Sequence, residues 1–120
     1  MKFTVKQIQI ADHVYDTVNA EGRFGFRAAA ALFPEYHARL DTMMMGSKGY
    51  KSQYAEYYSP VCEIEAEDLN GVFRIGNVGP EDRITRLGQM HSVSVGDIIV
   101  DPQGVEYMVD SFGFKELTNV

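Results

Sequence analysis

The sequence predicts an α+β domain: a small, mostly antiparallel sheet of about four strands, with three to five short helices packed on one side and a C-terminal β-hairpin. Three observations predict it. Period-two alternation marks strands at the start, in "VCEIEAED" and in the closing stretch "HSVSVGDIIVDPQGVEYMV". Apolar residues at helical spacing fill most of the first half. The chain is 120 residues, 45% hydrophobic and 23% charged, which suits one core and not two.

In chain order, Phe3 and Val5 share one face of an opening strand, whereas Ile8 and Ile10 fall on the other. That phase change implies a bulge or a strand covered on both faces. Ala11, Val14, Tyr15 and Val18 then follow helical spacing, with Asp12 able to cap and Gly22 placed to stop the helix. "GRFGFRAAAALF" is helix-prone, and Pro34 must interrupt or restart it because proline lacks an amide proton and suits a first turn. Tyr36, Leu40, Met43 and Met44 form the next stripe, ending at Gly46. Tyr50, Tyr54, Tyr57 and Tyr58 suit either a short helix or an ordered loop.

"VCEIEAED" is a strand with Cys62, Ile64 and Ala66 inward and Glu63, Glu65 and Glu67 outward. Asp68 can cap a helix carrying Leu69, Val72 and Phe73. Pro80, Glu81 and Asp82 suit the first turn of another, ending near Gly88. The hairpin module spans about 90–117. Val93 and Val95 alternate with Ser92 and Ser94, "DPQG" fits a type I turn, and Val105, Tyr107 and Val109 return, followed by Phe112, Phe114 and Leu117, with Phe112 and Phe114 as core residues.

Charge is uneven: residues 1–60 carry +1 and residues 61–120 carry −7. The acidic half suits a basic protein patch, and nucleic acid would have to meet the first half. The single Cys62 excludes an intrachain disulfide and suggests a reducing compartment. "MKFTVKQIQI" lacks the continuous apolar stretch of a signal peptide, and no apolar run reaches the roughly 18 residues that span a bilayer. A cytoplasmic protein without membrane contact is expected.

Several groups could carry chemistry. His91, Ser92 and Ser94 with Asp97 and Asp110 can be assembled on paper into a Ser-His-Asp set, the centre of a small hydrolase. Serines alternating with valines, however, simply point to the opposite face of a strand. Cys62 could be a nucleophile with His13, His37 or His91 as base, but its strand face is that of a small buried hydrophobe. Asp12, His13 and Asp16, or His37 and Asp41, offer two metal ligands where three or four are needed. "GRFGF" and "GNVG" lack the phosphate-loop ending. The sequence therefore predicts no catalytic residue, metal or cofactor.

Binding surfaces are better represented. Arg23, Arg27, Arg39, Lys48 and Lys51 are interleaved with Phe24, Phe26, Tyr50, Tyr54, Tyr57 and Tyr58. Cations mixed with aromatics suit a single-stranded nucleic acid, the role a segment 23–58 could play through Arg39, Lys48, Lys51, Tyr50 and Tyr54. Met43 to Met45 cannot all face inward on one helix, because successive residues turn by about 100°. At least one is then exposed, where a flexible methionine suits adaptable protein contacts, and the plainer reading is a gap-filling core with one exposed thioether. Glu63, Glu65 and Glu67 read as a solvated or edge-strand face.

The blocks "MKFTVKQIQI", "LDTMMMG", "YAEYYSP", "EIEAEDLNGVFRIGN", "MHSVSVGDIIV" and "YMVDSFGFKEL" occur here in order. In them the chain resembles a family of small, uncharacterised tailed-bacteriophage proteins. The last two blocks, about residues 90–117, are also similar to the YodL-like domain of phage and mobile-element proteins. The chain departs from the phage pattern in the alanine-rich "AEGRFGFRAAAALFPEYHARL". The resemblance supplies no catalytic residues. It implies expression in an infected bacterium, hence the host cytoplasm. Together these readings predict a non-enzymatic accessory protein that binds a host or phage macromolecule, foremost a protein. The predicted contacts are His91, Ser92, Ser94, Glu63, Glu65 and Glu67, and an edge strand could pair in a homodimer.

Overall fold

The computed structural model describes residues 1–20 and 22–117. Six strands lie in one sheet: β1 (Lys2–Ile8), β2 (Tyr58–Glu65), β3 (Ile84–Arg86), β4 (Ile98–Val100), β5 (Glu106–Val109) and β6 (Phe114–Glu116). The helices are α1 (Asp12–Ala20), α2 (Gly25–Leu32), α3 (Pro34–Met45) and α4 (Leu69–Val78), joined by 3₁₀ turns at Gly22–Phe24, Gly46–Gly49, Ser52–Tyr57 and Glu81–Arg83. The strand order is β3-β2-β1-β4-β5-β6, and every pairing is antiparallel. No helix among the described residues is long and apolar enough to cross a membrane.

β1 occupies the middle because it is apolar on both faces. Val5 faces Cys62 on β2, but Lys6 faces Pro60, which leaves Val61 as the extra residue of a bulge. Beyond it, Ile8 and Tyr58 point away from Phe3 and Val5. Two cores result. Phe3, Val5, Cys62, Ile64 and Ile99 pack against Val72 and Ile75 of α4. On the opposite face Ile8, Ile98 and Met108 pack against Ala38 of α3 and against Tyr54 and Tyr58. A third, smaller cluster of Val14, Ala29 and Tyr36 joins α1, α2 and α3. The alanine-rich segment thus forms the middle of a three-helix layer.

Local signals account for the boundaries. Asp68 caps α4, its Oδ1 accepting the Gly71 N–H at 2.8 Å. Pro34 opens α3, and the Asp101–Gly104 turn closes with the Gly104 N–H on the Asp101 carbonyl at 2.9 Å.

Five expectations need correction. The sheet has six strands and not about four, because β3 and β6, three residues each, are added to its edges. Helices cover both faces, since β1 and β4 are apolar on both. The segment after Pro80 makes one 3₁₀ turn and then β3, where the β-branched pair Ile84-Thr85 lines up with Ile64 and Glu63. Residues 91–95 are not a strand: side chains of Gln7 and Asp97 take backbone groups that a neighbouring strand would have taken. Phe112 is 97% exposed at the tip of the β5–β6 turn, while Phe114 packs on the core.

Candidate functional site

The chemically richest place is the end of β1. Gln7 shares the inward parity of Phe3 and Val5 and is only 2% exposed. Its Nε2 donates to Asp97 Oδ2 at 3.0 Å and to the His91 carbonyl at 2.9 Å, and its Oε1 accepts the His91 N–H at 3.2 Å. Asp97 Oδ2 also accepts the Ser94 N–H at 2.9 Å. One buried amide and one buried carboxyl therefore fix the whole course of residues 91–97.

The turn at Gly96-Asp97 is held from two further sides. Tyr58 Oη donates to the Gly96 carbonyl at 2.6 Å. Gly96 has φ +95, and a Cβ there would lie 2.9 Å from the Thr42 carbonyl carbon, so α3 presses directly on glycine backbone.

His91 projects from this frame with both ring nitrogens engaged. Nδ1 lies 2.7 Å from the Ser92 carbonyl, so it carries the proton and donates it. Nε2 then presents a lone pair, which accepts from Arg39 Nη1 at 2.8 Å. Burial lowers the His91 pKa, the Arg39 charge lowers it further, and the Ser92 carbonyl opposes both. The imidazole is neutral in this arrangement. Asp97 Oδ1 lies 3.9 Å from Nε2. Burial pushes the Asp97 carboxyl up to about 7, against the pull of the Ser94 N–H, the Gln7 amide and the Arg39 charge.

Beside this network opens a cleft of about 610 Å³, with Arg39, His91 and Arg86 on its walls. A second cleft of about 240 Å³ adjoins it, and Arg86, Met90 and His91 border both. Arg86 Nη2 is bonded to both oxygens of Glu81, at 3.0 and 3.1 Å.

The sequence-predicted residues are distributed as follows. His91 and Asp97 of the paper triad come together, whereas Asp110 is elsewhere, accepting the Ser47 N–H at 2.6 Å and the Ser47 hydroxyl at 2.9 Å. Among the described residues neither the Ser92 nor the Ser94 hydroxyl bonds to His91. Glu63 and Glu65 occupy the face of β2 opposite Ile64, with Lys2 Nζ at 3.9 Å and the N-terminal amine at 2.8 Å; Glu67 is exposed beyond the strand. Val93 packs on the Ile64 side, against Gly76. The acidic row and the His91 segment are thus on different faces.

Of the set drawn for nucleic acid, Arg39 belongs to the His91 cleft. Tyr50 packs edge-on against both Tyr54 and Tyr58. Tyr54 Oη donates to Asp41 at 2.6 Å, and Lys51 lies over the Tyr54 ring at 5.9 Å. Lys48 lines a separate cleft with Phe112. Cys62 is fully buried, and burial pushes its thiol up to about 11. His37 Nε2 and Asp41 Oδ2 are 3.2 Å apart, and the described residues contain no group of three or more potential metal ligands.

Sequence reasoning missed Gln7 and the pairing of Arg39 with His91. Gln7 had a signal: a polar residue at the third inward position of an apolar strand face needs a buried partner. Arg39 had none, being one exposed-type cation among several. Comparisons with protein-family models, curated proteins and solved structures produced no match to this chain.

Proposed function

We propose that the chain is a phage-encoded accessory protein of the host bacterial cytoplasm that works by binding, not by turnover, and that its target is a host or phage protein. One observation carries the reading: Met45 and Phe112, both exposed, share a cleft in which no other described residue covers them. Met43, Met44 and Met45 end α3 exposed, Met44 at 73%, and Phe112 stands out from the β5–β6 turn. Met45, Lys48 and Phe112 line one cleft of about 250 Å³. The two elements are clamped together, since Asp110 accepts both Ser47 bonds and a Cβ on Gly46 would meet Asp110 Oδ1 at 2.1 Å. An exposed aromatic beside an adaptable thioether suits a protein anchor. With Asp110 turned inward to Ser47, Lys48 favours a partner that sets a carboxylate beside its apolar side chain.

This moves the contact away from the acidic row, whose Glu63 and Glu65 already have cationic neighbours. The single-strand reading is less well supported, because Tyr50 and Tyr54 stack on other tyrosines and on Lys51.

The test is affinity capture from infected-host lysate, with and without nuclease, using the wild-type chain and the Phe112→Ser and Met45→Ser variants. A stoichiometric protein that survives nuclease and is lost from both folded variants supports the reading. Capture indifferent to both substitutions, or abolished by nuclease, overturns it.

A further inference from the structure

The cleft of about 610 Å³ combines features that the protein-binding reading does not use. Arg39 enters it from α3 and Arg86 from β3, with His91 between the walls and Asp12 and Tyr15 contributed by α1. Arg39 is held by a neutral imidazole nitrogen, and among the described residues no carboxylate forms an ion pair with it. Arg86 gives only Nη2 to Glu81, and the rest of its planar fork can engage a second anion. The volume lies within the range of small-ligand sites, roughly 300–1,000 Å³.

We propose that this cleft binds a phosphate monoester on a hydroxylated body, such as a sugar phosphate or a mononucleotide. Arg39 and Arg86 converge on the phosphate, whose tetrahedral oxygens match two guanidinium forks from opposite walls. Asp12 accepts from hydroxyl groups of the body, and the Tyr15 ring supplies an apolar wall. When the phosphate takes the Arg39 N–H, His91 Nε2 loses its donor. It then takes a proton from solvent and donates to the phosphate, so binding of the dianion is coupled to proton uptake at His91. The groups that face His91 and set this response are Arg39 from α3, Gln7 from β1 and Asp97 from the turn. Gln7, which also lines the cleft, and Asp97, which does not, keep the ring in place.

Titration calorimetry on the full chain tests the site with inorganic phosphate, glucose 6-phosphate, adenosine monophosphate and unphosphorylated adenosine. Saturable binding of at least one monoester is expected, with none for adenosine. Arg39→Gln and Arg86→Gln should each weaken it about tenfold or more. Arg86 is exposed, so its variant reports on the site even if Arg39→Gln perturbs folding. Asp12→Asn should weaken the monoesters while leaving inorganic phosphate unchanged. A preference for the nucleotide or for the sugar phosphate identifies the body. No saturable binding at millimolar ligand, or binding unchanged in both arginine variants, overturns the site. Equal affinity for inorganic phosphate and both monoesters overturns the assignment of Asp12 and Tyr15.

Discussion

Gln7 Nε2 donates to Asp97 Oδ2 at 3.0 Å although the two residues stand 90 positions apart in the chain. The bond joins the central strand to the loop that leads into β4, and both partners are buried. Replacing Gln7 by Leu keeps the volume but removes the donor to Asp97 and both bonds to His91. The loss should be about 2–3 kcal/mol in urea denaturation, because the His91 backbone N–H and carbonyl lose their Gln7 partner while Asp97 keeps only the Ser94 N–H. A double-mutant cycle with Asp97→Asn should show coupling of about 1 kcal/mol or more.

The position of Asp97 also sets a pH dependence. A carboxyl raised to about 7 in the folded chain holds its proton more tightly than the unfolded chain does. Its contribution is therefore complete below about pH 4 and is lost as pH rises through about 7. His91 acts in the opposite sense: its pKa is lowered on folding, so its contribution is lost as pH falls below about 6.5. Comparing wild type with Asp97→Asn isolates the carboxyl. The variant should gain on wild type by on the order of 2 kcal/mol between about pH 4.5 and about pH 7.5, read from urea midpoints.

Gly96 and Gly104 separate backbone conformation from close packing. Both have positive φ, +95 and +87, but nothing lies within 4 Å of a Cβ at Gly104, whereas Gly96 meets Thr42 backbone. Gly104→Ala should cost about 1–2 kcal/mol from conformation alone. Gly96→Ala should cost about 3 kcal/mol or more, since α3 must shift to admit the methyl group. Thermal melts of the two variants give the difference directly.

Cys62 supplies a probe of global opening. Its thiol is fully buried, and burial pushes it up to about 11. Labelling by a disulfide reagent at neutral pH should be slow and should rise with urea in parallel with the unfolding rate. Rapid labelling in native buffer would show that β2 opens locally.

Much of the fold was legible because short-range physics set it. The phase change between Val5 and Ile8 marked the two-faced burial of β1, while the bulge lies on its partner, at Val61 of β2. Asp68, Pro34, Gly46 and the Asp101–Gly104 turn acted where their side-chain chemistry placed them. β3 and β6 were not legible, because three residues cannot display a period. The exposure of Phe112 was hidden too, since a turn tip and a core strand can carry the same aromatic. The site was legible only in fragments: His91 and Asp97 were singled out for a triad, and Arg39 for nucleic acid. What unites them is the approach of α3 to the end of β1, a tertiary fact with no local signature.

The strand order gives β1 a long wait during synthesis. It leaves the ribosome before both strands it pairs with and lies inside the finished sheet, with β2 on one side and β4 on the other. Its second edge stays open until residues 98–100 have been made. Nascent chains stalled before that point would display an unpaired, two-faced apolar strand, the kind of edge that recruits chaperones or other chains. Truncation upstream of β4 should therefore yield aggregates, whereas loss of β6 removes an edge strand and the Phe114 contact with the core.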